Sequence, residues 1–195
     1  YSGTGQVNGQ YMYYNVTKGW LGFSVAGVGD MNNDGYADAL IGMPQDPDTQ
    51  SLAGAYLVYG KPNDTIGSLA EYQKDITKLG SGSGLSITYP AGSGPTYRSS
   101  AGYSVSSAGD VNGDGWADMM ISAVYQIVPG LGGYTGVTYV IYGSAALTSS
   151  QSISLTNVGT SVAGFVISGW QAGEKSGTSV SSAGDFNGDG KADLL

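Results

Sequence analysis

One nine-residue pattern occurs three times in this chain and constrains its fold more than any other feature. Each copy reads Asp-x-Asn-x-Asp-Gly-x-x-Asp, with side-chain oxygens at positions 1, 3, 5 and 9 and glycine at position 6. Oxygen ligands on alternate residues, with glycine where the backbone turns sharply, suit a hard cation such as Ca²⁺. The pattern therefore predicts three Ca²⁺ sites. The side-chain ligands are Asp30, Asn32, Asp34 and Asp38, then Asp110, Asn112, Asp114 and Asp118, then Asp185, Asn187, Asp189 and Asp193.

The residues around the loops distinguish them from a helix-flanked EF-hand. An EF-hand loop ends in a bidentate Glu at position 12, whereas Ile41 and Ile121 occupy that position in the first two copies. The flanking segments 22–27 and 39–42 are short, apolar and bounded by glycine, which is typical of strands. Each loop is therefore predicted to connect two β-strands.

Composition and charge favour a strand-rich protein that binds cations. The 195 residues include 34 Gly and 15 Tyr but only 7 Lys and Arg. A formal net charge of −8 argues against a nucleic-acid partner, because phosphate binding requires clustered Lys and Arg. Nine of the 15 acidic residues are the loop aspartates, so three Ca²⁺ ions would bring the net charge from −8 to about −2.

The cellular location is inferred from calcium supply, since a chain without Cys gives no information on its redox compartment. The chain has no Cys, and calcium can stabilise the fold instead, because a metal bound only by the folded state stabilises it by mass action. Millimolar Ca²⁺ outside cells suits weak sites, so a secreted or cell-surface location is expected. No apolar run approaches the ~18–20 residues of a membrane span. Two Asn-x-Thr sequons predict N-glycosylation at Asn15 and Asn63 in a eukaryotic source.

The loops also mark an internal repeat, because the second copy follows the first by 80 residues and the third follows by 75. Related apolar segments predict four strands per unit. The first strands are 21–29, 101–109 and 176–184, and the second are 37–42, 117–122 and 192–195. The third strands are 54–60 and 136–143, and the fourth lie near 85–89 and 164–169. A capping box at Ser68–Glu71, followed by helical spacing of apolar residues, predicts a short helix over 69–79.

Four antiparallel strands with this period are typical of a propeller blade. Gly-Phe-Ser-Val-Ala at 22–26, the loop itself and Ile-Gly-Met-Pro at 41–44 resemble the FG-GAP repeat of integrin alpha-chain β-propellers and related secreted proteins. The second copy departs from that pattern, with Ile-Ser-Ala-Val at 121–124. The resemblance implies an all-β, propeller-like array of four-stranded antiparallel blades. It also implies that the position-7 carbonyls of Tyr36, Trp116 and Lys191 join the calcium ligands.

The repeat divides the chain into predicted units. Residues 1–20 align with the last strand of a preceding or neighbouring blade, and 21–100 and 101–175 form blades 1 and 2. Residues 176–195 form the first half of blade 3. Partial blades at both ends are expected if the sequence is a window on a longer propeller. They are also expected if identical subunits complete one another by strand addition, which would give a ring or a filament.

An enzyme is not expected, and no catalytic residue is assigned. The chain has no His or Cys, which removes the common general base and thiol nucleophile. The favoured function is a non-enzymatic, extracellular, calcium-stabilised module for adhesion or surface assembly, with a protein partner or identical subunits. The alternative is a carbohydrate-binding module beside a catalytic domain. In that case tyrosines would form a platform, although packing between blades is favoured for them. The tyrosines concerned are Tyr11, Tyr13, Tyr14, Tyr56, Tyr59, Tyr139 and Tyr142.

Overall fold

A computed structural model describes residues 4–7, 10–13, 20–44, 53–60, 73–75, 83–90, 99–149 and 152–195. These residues form an all-β structure with a short α-helix, Ala145–Ser149 (α1), and a 3-10 turn, Leu155–Asn157. The strands are β1 Thr4–Val7, β2 Gln10–Tyr13, β3 Val25–Gly29, β4 Asp38–Met43, β5 Ala53–Val58, β6 Gln73–Asp75, β7 Gly84–Tyr89, β8 Ala101–Gly109, β9 Asp118–Ala123, β10 Val137–Ile141, β11 Ser152–Ser154, β12 Gly164–Ser168, β13 Ser182–Gly184 and β14 Asp193–Leu194. Within the described ranges, no helix is long and apolar enough to cross a membrane.

Two sheets share one connectivity. Strands β3, β4, β5 and β7 form an antiparallel meander, and β8, β9, β10 and β12 repeat it. In each sheet the first strand pairs with the second, the second with the third, and the third with the fourth. Strands β13 and β14 pair as the first two strands of a third unit. The antiparallel strand order predicted for the first two units is therefore confirmed.

The second strand of each main sheet is buried on both faces, which explains its apolar sequence. In β4, Leu40 and Ile41 are both buried although neighbouring side chains in a strand point to opposite faces. Met119 and Met120 do the same in β9. A strand covered on both sides reads as a continuous apolar run without polar alternation.

The largest core lies between the two sheets, where β8 packs against β3, β4 and β5. From the first sheet it contains Leu40, Leu57, Leu85 and Ile87, and from the second Met119, Ile121, Tyr139 and Ile141. Each fully buried aliphatic side chain of this size contributes about 1.5–3 kcal/mol relative to exposure. The close approach requires glycine at position 102, because a Cβ there would collide with the carbonyl oxygen of Gly54.

One contact recurs at each step between units. A Cβ placed on Gly29, before the first loop, would lie 3.0 Å from the Ala117 Cβ in the second loop. Gly109, before the second loop, lies against Ala192 of the third loop in the same way. The loop carbonyl of Asp110 also accepts the Ala192 N–H at 2.9 Å. Successive units are therefore related by a repeated packing step.

Two short parallel strands extend the outer edges of the sheets, and the sequence did not predict them. Strand β11, in the connection between strands three and four of the second unit, pairs parallel with β7. Strand β6, in the same connection of the first unit, pairs parallel with β2. Strand β2 also pairs antiparallel with β1. Each of these connections thus adds a strand to a sheet that precedes it in the chain.

Strand β11 and the 3-10 turn after it cover β7 at the edge of the first sheet. Ile153 in β11 and Leu155 in the 3-10 turn are buried in the same cluster as Leu85 and Ile87 of β7. The Tyr59 hydroxyl donates a hydrogen bond to the Leu147 carbonyl at 3.2 Å, which ties α1 to the end of β5. Burial raises the pKa of Tyr59 to about 12.

The structure corrects the predicted helix over 69–79. Its centre forms β6, Gln73–Asp75, and its other residues lie outside the described ranges. An isolated helix of this length is marginal in water, whereas pairing with β2 satisfies backbone hydrogen-bonding groups. Two first strands also begin later than predicted, at Val25 and Ser182.

Candidate metal centres

The three loops connect the first and second strands of their units, β3 to β4, β8 to β9 and β13 to β14. Strands before and after each loop hold its two ends together, because they pair up to the loop with a register shift at Gly29 and Gly109. The third loop has the corresponding shift at Gly184. The loops therefore occupy equivalent places in three units.

The first aspartate of each loop organises its backbone. Asp30 Oδ1 accepts the Asp34 N–H at 3.1 Å, and Asp30 Oδ2 accepts the Gly35 N–H at 2.7 Å. Asp110 makes the same two contacts at 3.1 and 2.8 Å, and Asp185 makes them at 2.9 and 2.9 Å. In each loop, a single carboxylate thus accepts two backbone N–H groups and holds the turn in place.

In the first two loops, the residues at positions 3 and 5 are hydrogen-bonded to each other. Asn32 Oδ1 accepts the Asp34 N–H at 3.1 Å, and Asn32 Nδ2 donates to Asp34 Oδ2 at 2.9 Å. Asp34 Oδ1 accepts the Tyr36 N–H at 3.0 Å. Asn112 and Asp114 repeat the mutual pair at 2.8 and 2.8 Å. The alternate residues predicted as ligands therefore lie next to one another.

The glycine at position 6 is required by backbone conformation. Its φ angle is +89° in Gly35, +87° in Gly115 and +88° in Gly190. L side chains rarely adopt this left-handed region, whereas glycine enters it without steric cost. The same sharp turn recurs in all three loops for this local reason.

In the first two loops, the aspartate at position 9 connects the loop to the end of the third strand. Asp38 and Asp118 are called the clip aspartates below. Asp38 Oδ2 accepts the Met31 N–H at 2.8 Å, and Asp38 Oδ1 accepts the Gly60 N–H, just after β5, at 2.8 Å. Asp118 contacts Val111 N and Gly143 N in the same way, both at 2.9 Å. The two carboxylates are only 2% and 0% exposed. Position 9 therefore joins strands one, two and three of a unit.

The third loop differs at this position. Asp193 Oδ2 accepts the Phe186 N–H at 2.8 Å, as in the other loops, but Asp193 Oδ1 accepts from Asn187 Nδ2 at 3.2 Å. Asp193 is half-buried. The carboxylate thus bonds within its own loop.

The buried clip carboxylates have unusual electrostatics. Burial raises the pKa of Asp38 from 3.8 to about 6, against the lowering effect of the Gly60 and Met31 N–H groups. Burial likewise raises the pKa of Asp118 to about 6, against the N–H groups of Gly143 and Val111. The other loop aspartates add repulsion in both cases. A nearby cation would favour the charged form of both groups.

The donor set fits a hard divalent cation. Every predicted side-chain ligand is a carboxylate or an amide oxygen, which are Ca²⁺ ligands. Within the described ranges, no three acidic side chains already converge as a metal cluster, and the first aspartate of each loop bonds to backbone N–H groups. Each carboxylate oxygen can accept more than one contact. The predicted ligands of one loop are thus brought together, while their coordination remains a prediction.

Two residues of the arrangement were missed from sequence alone. Gly60 and Gly143 donate to the clip aspartates, and a Cβ on either would collide with the position-8 carbonyl of Ala37 or Ala117. A signal for both was present in the sequence, because a Tyr-Gly pair follows each third strand. That signal indicates a turn but not its partner across the sheet.

The remaining predicted residues fall into two groups. Asn15 and Asn63, predicted to carry glycans, lie outside the described ranges. Tyr56, Tyr59 and Tyr139 are buried, which removes these three from any exposed carbohydrate platform. Tyr142 is half-buried and packs against Phe165, with ring centroids 6.1 Å apart.

Comparison with known proteins gives two matches, to the FG-GAP repeat and to an integrin alpha chain. The model of the FG-GAP repeat matches residues 176–195, which contain the third loop. Integrin alpha-PS2 of Drosophila melanogaster is 29% identical over 132 residues. That alignment covers 64% of this chain and 8% of the integrin chain. The chain therefore spans a small part of the relative's length.

Proposed function

The chain belongs to the FG-GAP repeat family of integrin alpha type, and from that membership we propose that each of its three loops binds one Ca²⁺ ion. Proteins of this kind typically bind divalent cations and are generally non-enzymatic. The proposed ligands are the side chains at positions 1, 3, 5 and 9 together with the carbonyls of Tyr36, Trp116 and Lys191. The observation that carries the proposal is the common hydrogen-bonded form of three loops with the same oxygen donors.

The proposed role of the cation is structural. Asp38 and Asp118 carry buried negative charge where strands one, two and three of a unit meet. A cation held by the same loop would offset the cost of burying that charge. Binding only to the folded form would then stabilise the whole sheet by mass action.

Calcium titration of chelator-treated protein by isothermal calorimetry tests the number of sites. We expect three sites in the unmodified chain and two after Asp114→Ala, because Asp114 belongs to one loop only. Asn33→Gly is the matched control, since Asn33 is a non-ligand loop residue with φ +56° that glycine tolerates. Unchanged stoichiometry in Asp114→Ala, or no binding in any form, would contradict the proposal.

The module is proposed to act outside the cell, in adhesion or in a surface assembly, with a protein partner or further copies of itself. Relationship to an integrin alpha chain suggests protein partners and a cell-surface location. The proposed division is residues 1–20 as the end of a preceding blade, 21–100 and 101–175 as blades 1 and 2, and 176–195 as half of blade 3.

Strand addition between subunits is proposed as the route to assembly. The two parallel pairs, β11 with β7 and β6 with β2, support this idea because outer edges already accept added strands here. Phe165 and Ile167 of the outer strand β12 are 36% and 40% exposed, whereas Leu85 and Ile87 at the corresponding places in β7 are 0% and 1% exposed. Light scattering across a concentration series tests assembly, and a monomer at every concentration would contradict it.

A carbohydrate-binding role is the second candidate, on one observation. Trp20 and Phe23 are each 46% exposed and stack with ring centroids 5.6 Å apart, and Tyr103 lies 5.0 Å from Phe23. Exposed aromatic rings of this kind can stack on sugars. Glycan-array binding that is lost in Trp20→Ala but kept in Trp170→Ala, a more exposed reference, would favour this role.

A further inference from the structure

Two calcium-loop asparagines precede a glycine, and this pairing has a chemical consequence. The pairs are Asn112-Gly113 and Asn187-Gly188, both at loop positions 3 and 4. An asparagine side chain can be attacked by the backbone nitrogen of the next residue, and glycine hinders that attack least because it has no Cβ. The first loop has Asn33 at position 4 instead. We propose that Asn112 and Asn187 are deamidation sites that the folded loop protects and an opened loop releases.

The reaction balances without any oxidant or cofactor. The Gly113 nitrogen bonds to the Asn112 side-chain carbonyl carbon, the carbon–Nδ2 bond breaks, and ammonia leaves after proton transfer. The cyclic imide that results is opened by water at either carbonyl. One opening gives an ordinary aspartate at position 112, and the other gives isoaspartate, in which the main chain runs through the former side chain.

The folded loop engages both reacting groups in hydrogen bonds with other partners. The Gly113 N–H donates to Asp110 Oδ1 at 2.7 Å, which commits the nucleophilic nitrogen to another partner. Asn112 Oδ1 and Nδ2 are both bonded to Asp114, each at 2.8 Å. The side-chain amide is thus fixed at both ends while its neighbour's nitrogen faces a carboxylate.

The third loop has the corresponding hydrogen bonds, except that the asparagine Nδ2 has a different partner. The Gly188 N–H donates to Asp185 Oδ1 at 2.8 Å, and Asn187 Oδ1 accepts the Asp189 N–H at 2.8 Å. Asn187 Nδ2 donates to Asp193 instead. Both glycines are solvent-exposed, so water can reach either pair once the loop opens.

The two products differ in consequence. Ordinary aspartate keeps an oxygen donor at position 3. Isoaspartate lengthens the main chain by one methylene and shifts positions 1 and 5 relative to each other. An opened loop that is converted to isoaspartate would therefore not regain its closed form, and the fraction of isoaspartate records how long the loop has been open.

Peptide mapping by mass spectrometry after prolonged incubation tests the proposal. We expect deamidation at Asn112 and Asn187 to be at least about tenfold slower in folded protein with Ca²⁺ than in urea, since reaction follows the open fraction of the loop. Asn32 should react slowly in both conditions because Asn33 follows it. Equal rates at Asn112 in folded and urea-unfolded protein would overturn the proposal.

Asp110→Ala supplies the local test, because it removes the acceptor of the Gly113 N–H and leaves the third loop unchanged. Deamidation should accelerate at Asn112 but not at Asn187 in the same molecule. Equal acceleration at both sites would contradict control by each loop's own hydrogen bonds.

A third arm separates this inference from the proposed calcium binding, on which it partly rests. Equal protection in Ca²⁺ and in chelator would contradict calcium as the loop's stabiliser but support protection by hydrogen bonds alone. Faster deamidation in chelator, still slower than in urea, supports both.

Discussion

The two buried clip carboxylates make the pH dependence of stability the sharpest test of the loop structure. Burial raises the pKa of Asp38 and of Asp118 from 3.8 to about 6. Below about pH 3 each carboxyl is largely protonated in both the folded and the unfolded chain, and its contribution to stability is fully present. As the pH rises from about 3 through 6, the unfolded chain loses the proton first, so stability falls. The sign is opposite to that of an ordinary salt-bridged aspartate.

The magnitude follows from the size of the shift. A shift of about two pKa units corresponds to about 3 kcal/mol for each carboxylate at neutral pH. The two carboxylates are nearly inaccessible to solvent, so screening reduces this little. In chelator, the free energy of unfolding should therefore fall by about 6 kcal/mol between about pH 3 and pH 7 from these two groups.

Asp118→Asn removes one of the two titrating groups and keeps its shape. Urea unfolding followed by circular dichroism, in chelator at several pH values, should show about half the wild-type loss attributable to the pair. The absolute stability of this variant is less informative, because its amide cannot accept from both Val111 and Gly143. The slope of the free energy of unfolding against pH separates the effect of the Asp118 charge from that of the lost hydrogen bond.

Ser122→Ala is the matched control. The Ser122 hydroxyl is fully buried and accepts the Ser104 N–H at 2.9 Å, so its loss removes a buried acceptor without a charge. That variant should lose about 1–3 kcal/mol at every pH, with the slope unchanged. If Asp118→Asn and wild type showed the same slope, burial of Asp118 would not be the cause, and the reasoning would be refuted.

The remaining predictions concern metal, backbone and packing. Chelation should lower the melting temperature by about 15–30 °C relative to three sites filled by Ca²⁺ at a hundredfold excess over its dissociation constant, and an unchanged scanning-calorimetry trace would count against structural calcium. Gly143→Ala should destabilise by about 1–3 kcal/mol in urea unfolding because its Cβ would strike the Ala117 carbonyl, whereas Gly27→Ala, with open space around it, should not. Leu155→Ala should cost about 2–5 kcal/mol by uncovering β7, whereas the exposed Val166→Ala should change stability by less than about 0.5 kcal/mol, and equal effects would contradict the capping role of the β11 segment.

The sequence by itself determined the local features of this protein. Asp-x-Asn-x-Asp-Gly placed three turns because side-chain oxygens and a left-handed glycine act within a few residues of one another. The apolar segments on either side predicted the paired strands, since a strand covered on both faces needs an unbroken apolar run. The helix over 69–79 was predicted by the same local reasoning and was wrong at Gln73–Asp75, where pairing with β2 outweighed a weak helical preference.

Only the tertiary structure decided which distant groups meet. The Asp38 partner Gly60 lies 22 residues away, and the Asp118 partner Gly143 lies 25 residues away. The burial that raises the pKa of both carboxylates depends on neighbouring sheets that no short window of sequence contains. The parallel pairings of β6 with β2 and of β11 with β7 likewise join strands that are far apart in the sequence. Turn chemistry is local and readable, whereas strand partners and burial are set by packing across the whole chain.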